Sequence, residues 1–378
     1  MTTVSLGDAQ PARRRFLRTA AASAIAGFPL YCLAQNADAP ERQFAPQPGV
    51  WRNFEVTTRV EVAAPRGQTR VWIPVPSLNT AWQKSLESSI SSNGSAHLVA
   101  DGSAGARMVY AEFDASQTQP FVEVTSHVQT QNRWQDWKQN VAATESAASL
   151  AQWTRPTKLI PVDGIVLSTA SGAIQGARSD VEKAQKIFDW IVTNTYREPK
   201  VRGCGEGDIQ TMLETGNLGG KCADLNALFV GLCRSVGLPA RDVYGLRVAP
   251  SAFGYKELGG ISAKLQGAQH CRAEVYLQGY GWVAMDPADV AKVMRQETSE
   301  WIKDPRNPVV APVNRVLFGG WEGNWIAYNT AHDVLLPHAQ GPRLGFLMYP
   351  HAETGGQRLD AYAPDDFRYR ISAREILG

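Results

Sequence analysis

Cys222 stands directly after Gly219, Gly220 and Lys221, and the apolar residues that follow it, Leu225, Leu228, Phe229, Leu232 and Val236, recur at helical spacing. The pattern predicts an amphipathic helix that opens at the cysteine and stops at Gly237, with Pro239 just beyond. A thiol placed there is a candidate nucleophile. Orphan N–H groups and the helix dipole favour thiolate over thiol, and Lys221 adds positive charge nearby. The same N–H groups suit the oxyanion of a tetrahedral intermediate formed at the sulfur. A small buried cysteine at a helix start is also common, so the nucleophile reading requires a base.

The chain has six histidines, and His270 is the one whose surroundings suit that role. It opens a predicted strand whose alternation puts His270, Arg272, Glu274 and Tyr276 on one face and Cys271, Ala273, Val275 and Leu277 on the other. The polar face suits a cleft better than a core. For His97, His127, His332, His338 and His351 a surface or packed position is the simpler reading. Asp286 and Asp289 follow the next turn, and either carboxylate type could orient an imidazole. Register separates the options. A two-residue loop at Gly279-Tyr280 would set Asp286 opposite Ala273, on the wrong face for His270. A three-residue loop, Gln278-Gly279-Tyr280, pairs Tyr276 with Trp282 and Arg272 with Asp286. His270 and Asp286 then become diagonal same-face neighbours, roughly 7–8 Å apart at the backbone. The longer loop is therefore expected, with Asp289 as a structural residue.

These residues need elements to hold them. From about residue 50 to 130 the pattern is strand-like: Phe54, Val56, Thr58, Val60 and Val62 share one face, as do Val122, Val124, Ser126 and Val128. A β-sandwich or similar module is expected over 45–150. Ser179 and Glu182 mark a helix start, and Val181, Ala184, Phe188, Ile191 and Val192 give it an apolar face. A loop rich in glycine and charge, 200–221, delivers the chain to Cys222. Past residue 300, Trp, Pro and Gly residues between short apolar runs predict further strands. With 378 residues, 44% of them hydrophobic, the chain can bury a sizeable core; a net charge of +2 without long charged runs argues against nucleic acid as a partner.

The segment "GGKCADLNALFVGLCRSVGLPAR" resembles the nucleophile segment of the transglutaminase-like superfamily, and "HCRAEVYLQGYGWVAMDP" is similar to that family's histidine strand, Gly-x-Gly-Trp turn and Asp-Pro. The resemblance extends over about residues 180 to 295, and the flanking β modules are similar to those of exported bacterial members. It implies an α+β fold: a papain-like core over 151–300, its nucleophile helix packed on an antiparallel sheet, between the N-terminal β domain and a C-terminal β-rich extension over 301–378. It also implies Cys222 as nucleophile, His270 as base and then acid, and Asp286 as orienter. One departure is Arg272, where the family often has Trp. Arg272 could bind a substrate carboxylate or pair with Glu274, and the pair is the favoured expectation. Asn217 and Gln210, on the loop before the cysteine, are the candidates for a further oxyanion donor. Asp224 and Arg241 match the family pattern but read as a helix-start carboxylate and an ion-pair partner. Animal relatives use calcium; no EF-hand loop occurs here, so no metal or other cofactor is expected.

The first residues, "ARRRFLRTAAASAIAGFPLYCLA", set a basic cluster before a short apolar run and resemble a twin-arginine export signal, with cleavage after Ala34 or Ala39. Export to the periplasm or the exterior is expected, without a membrane anchor in the mature chain. Of the five cysteines, Cys32 leaves with the signal. If Cys222 stays a thiolate, at most one disulfide can form among the others. Cys204 with Cys271 is the candidate, because Cys233 falls on an apolar helix face. The expected activity is attack of Cys222 on an amide carbonyl to give a thioester, resolved by water. The alternatives are transfer to a lysine amine and a non-catalytic peptide or cell-wall binding protein. The expected partner is a protein or peptide substrate, cell-wall peptides among them.

Overall fold

The computed structural model describes residues 42–101, 105–141, 145–363 and 367–377. The expected export signal, with Cys32, lies outside these residues. Strand Arg52–Val62 buries every second residue from Phe54 to Val62, as its alternation requires. It is flanked on one side by Phe121–Thr130, which in turn pairs with Gln83–Ser92, and on the other by Phe367–Ile376 from the end of the chain. A second antiparallel sheet contains Thr69–Pro74, Arg107–Phe113 and Ser95–Ala100, and on its other side His351–Thr354 and Gln357–Arg358. Val60, Val62, Val122 and Val124 of the first sheet share a core with Val71, Ile73 and Val109 of the second. Residues past 300 thus supply strands to both sheets of the N-terminal module.

The central sheet is antiparallel in the order Gly281–Met285, Gln269–Leu277, Ala240–Arg247, Trp325–Asn329. Its fourth strand also comes from the C-terminal segment. Helix Cys222–Ser235 packs on this sheet and against helices Gly164–Ala173, Asp180–Asn194 and Pro287–Gln296. Sequence periodicity predicts one apolar face for the cysteine helix, but every residue from Cys222 to Arg234 is buried. Neighbours on all sides explain this: a Cβ at Gly231 would lie 2.2 Å from Ile209 Cδ1.

The segment before Cys222 also departs from expectation, since it holds helix Ile209–Thr215 and is tied down by one carboxylate. Asp224 Oδ1 accepts from the amides of Glu206 and Gly207 at 2.9 Å, and its Oδ2 accepts from the Lys221 amide at 2.9 Å. Gly205, at φ +90°, passes so near this carboxylate that a Cβ would overlap it. Asp224 therefore shapes the approach to the cysteine. Among the described residues no helix is long and apolar enough to cross a membrane.

Candidate active site

The turn after strand Gln269–Leu277 decides where the aspartate falls. Tyr276 pairs with Trp282 and Leu277 with Gly281, leaving the three-residue loop 278–280, with Gly281 at φ +74° completing the turn. The chain then leaves the sheet at Asp286, the N-cap of helix Pro287–Gln296, whose Oδ1 accepts from the Asp289 amide at 3.1 Å. Its other oxygen, Oδ2, is 2.7 Å from His270 Nε2. Cys222 and His270 line one cavity of about 420 Å³ together with Arg197, Arg247, Lys264, Gln269 and Lys292. The fold thus brings Cys222, His270 and Asp286 together.

Electrostatics in this cluster run against simple burial. Hydrogen bonds from Cys204 and Cys271, then the bond and charge of His270, hold the Cys222 thiol well below its ordinary range despite desolvation. Burial and Arg247 work against a charge on His270, but Asp289 and Asp286 outweigh them and push the imidazole up to about 9. Burial and the charge of Asp289 raise Asp286. Burial would raise Asp289 as well, yet Arg247, whose Nη2 is 2.5 Å from Asp289 Oδ1, keeps it well below the usual carboxylate range. Asp289 Oδ2 also lies 3.4 Å from His270 Nε2. Two carboxylates therefore face one imidazole, and a thiolate–imidazolium pair is the favoured charge state.

His270, Asp286 and Asp289 present donor atoms within 4.8 Å of one another. Guanidinium groups already face these carboxylates, Arg247 on Asp289 and Arg272 Nε at 3.5 Å from Asp286. A dication would be repelled there, and the set reads as an ion-pair network.

Several expectations are corrected. The polar face of the histidine strand is buried throughout. Glu274 is clamped between Arg133 and Arg241, so it is not the partner of Arg272. Arg272 lies over the rings of Trp321 and Trp325, donates to the Glu322 carbonyl at 3.1 Å, and is 2% exposed, which leaves no room for a substrate carboxylate. Asn217 and Gln210 are exposed and do not line the cavity; Gln210 donates to Glu214 along its own helix at 2.6 Å. Cys204 and Cys271 are free thiols. Cys204 accepts the Tyr349 hydroxyl at 2.9 Å, and its sulfur lies 3.3 Å from the Gln269 carbonyl.

Two residues escaped the sequence reading. Asn226, one turn beyond Cys222, donates to the Cys271 carbonyl at 2.8 Å and to Asp286 Oδ1 at 3.3 Å, tying helix, strand and aspartate together. Its signal is a polar side chain one helical turn from the cysteine in an apolar run. Gln269, just before His270, is 6% exposed, and neither of its side-chain amide atoms has a hydrogen-bond partner among the described residues.

A cysteine at a helix start, a histidine on the adjacent strand and an aspartate at the next helix cap define a thiol-enzyme fold. The model of the transglutaminase-like superfamily matches residues 168–287. An uncharacterized protein of Haemophilus influenzae is 32% identical over 343 residues, which is 85% of this chain and 91% of that protein. The solved structure of a candidate cysteine protease from Cytophaga hutchinsonii superposes with a TM-score of 0.56 at 15% identity, covering 88% of this chain and 94% of that one. The chain belongs to the transglutaminase-like superfamily.

Proposed function

We propose that this protein is an exported thiol amide hydrolase acting on peptides or proteins. The observation that carries the reading is the His270–Asp286 contact of 2.7 Å on the cavity that Cys222 and His270 line together, where the thiol is held well below its ordinary range. The Cys222 sulfur attacks the amide carbonyl, and the backbone N–H of Cys222 at the helix start stabilises the oxyanion. The protonated His270 gives its proton to the departing amine, leaving a thioester on Cys222. Neutral His270 next takes a proton from water, which attacks the thioester and releases the carboxylic acid and the thiolate. Asp286 fixes the ring by accepting from Nε2, which leaves Nδ1 for the proton transfers. The N-terminal basic and apolar segment supports export to the periplasm or the exterior, and cell-wall peptides are among the substrates that location offers.

The test is intact mass after brief iodoacetamide treatment at mildly acidic pH, on wild type, Cys222→Ala and His270→Ala. Fast single labelling, lost in Cys222→Ala and slowed in His270→Ala, is expected. Labelling equally slow in wild type and His270→Ala, with the thiols shown to be reduced, overturns the hydrolase reading.

A further inference from the structure

The residues lining the cleft around Cys222 and His270 include Arg197, Arg247, Lys264 and Lys292, and none of them is acidic. Two of these cations are neutralised within the protein. Arg247 is held by Asp289, and Lys292 lies 3.3 Å from Glu257 Oε2 and donates to the Glu257 carbonyl at 2.6 Å. Arg197 and Lys264 differ. The guanidinium of Arg197 has a neutral partner, Gln296 Oε1 at 3.1 Å, and among the described residues neither side chain forms an ion pair.

Their backbone positions tie both cations to the reacting groups. Arg197 pairs in register with Gly220, two residues before Cys222. Lys264 stands on the loop that leads into His270, and that loop is pinned by the Leu265 amide donating to the Ile371 carbonyl at 2.8 Å. One uncompensated cation thus belongs to the nucleophile's side of the cleft and the other to the base's side. Gln269 lines the same cavity and supplies a buried neutral amide without a hydrogen-bond partner among the described residues, a donor whose burial is costly unless a ligand uses it.

We propose that the acyl donor of this enzyme carries a carboxylate close to the amide that Cys222 attacks, and that Arg197 and Lys264 recognise it. This specificity rests on the thiol-hydrolase reading above. Substrates with the same backbone but an amide in place of the carboxylate bind less well, because the cleft's two free charges then lack a counterion. An acidic side chain and a chain-terminal carboxylate share this chemistry.

The experiment compares rates of Cys222 alkylation by iodoacetate and by iodoacetamide on the full folded protein, with glutathione as the reference thiol. The ratio of the two rates is the readout, so changes in thiol activation cancel. The wild-type ratio is expected to exceed that of glutathione and to fall as salt rises. It is expected to drop about threefold in Arg197→Gln and again in Lys264→Gln. Lys264→Gln alters an exposed side chain and keeps the test open if Arg197→Gln fails to fold. An unchanged ratio in the folded variants overturns the carboxylate assignment while leaving the thiol reading intact; a slow iodoacetamide rate strikes the thiol reading instead. Protection of Cys222 from iodoacetamide at constant ionic strength then separates the sources. N-acetylglutamate α-amide carries the side-chain carboxylate, N-acetylalanine the terminal one and N-acetylglutamine α-amide neither. Equal protection by all three, or by none, overturns the assignment.

Discussion

Helix Cys222–Ser235 carries a cysteine near each end, and both are buried, at 3% and 0% exposure. Their chemistry points in opposite directions. At the last turn, burial pushes the Cys233 thiol well above its ordinary range, and nearby Arg234 offsets little of this. At the first turn, two thiol donors and the imidazole reverse the sign at Cys222. Enclosure by itself makes a cysteine inert, and only the groups aimed at the sulfur make it reactive. The same contrast recurs along strand Gln269–Leu277. His270, at its start, contacts two buried carboxylates and also lines the cavity, whereas Glu274 is fixed between two arginines in a closed cluster. One charge cluster is open to a ligand and the other is not.

The contrast breaks most severely if the open cluster loses its orienting carboxylate. Asp286→Asn keeps the shape but removes the acceptor charge, and hydrolysis is expected to fall by about 10²–10⁴-fold in kcat. A pH profile sharpens the result. His270 is raised to about 9, so the imidazolium on which the proposed mechanism relies persists below that pH and is lost above it. Wild-type kcat/KM should therefore hold through neutral pH and decline near 9, while the variant's decline moves to lower pH. A decline at the same pH in both would mean that Asp286 does not set the charge of His270.

The closed cluster should respond in stability. Glu274→Gln leaves the half-buried Arg133 and Arg241 without their counterion, and a loss of about 3 kcal/mol, the low end for breaking a buried pair, is expected in denaturant unfolding. The rate of Cys222 alkylation in the folded fraction should stay near that of wild type. A large change in that rate would show the two clusters to be coupled.

What the sequence revealed of each cluster follows from how far apart its parts lie along the chain. The histidine strand and the three-residue turn are local features, so register could bring His270 and Asp286 together, and the resemblance to a family added Cys222 to them. The surroundings of Glu274 and Arg272 were illegible for the opposite reason. Arg133 is 141 residues from Glu274, and Trp321 and Trp325 reach Arg272 from the C-terminal segment. Alternation along a strand reports which residues share a face, but it does not report what covers that face. Here arginines and tryptophans from distant segments cover it, and a polar stripe became part of the interior. The same limit applies to Gln210 and Asn217, whose nearness in sequence to Cys222 says nothing of which way helix Ile209–Thr215 turns the first or where the chain beyond its Gly216 cap leaves the second.

The smallest expected effect lies at the inert end of the cysteine helix. Cys233 is enclosed by the core shared with the central sheet, and among the described residues no hydrogen-bond donor to its sulfur offsets the burial. Cys233→Ala removes one buried atom and should cost about 1–2 kcal/mol of stability. The alkylation rate of Cys222 should remain unchanged, since nothing in its charge network passes through the far end of the helix. In the native protein Cys233 itself should resist iodoacetamide until unfolding, which peptide mapping after graded denaturant would reveal. Native-state labelling of Cys233 at a rate near that of Cys222 would mean that accessibility, and not the groups aimed at the sulfur, separates the two ends. The reactivity of Cys222 would then need no imidazole to explain it.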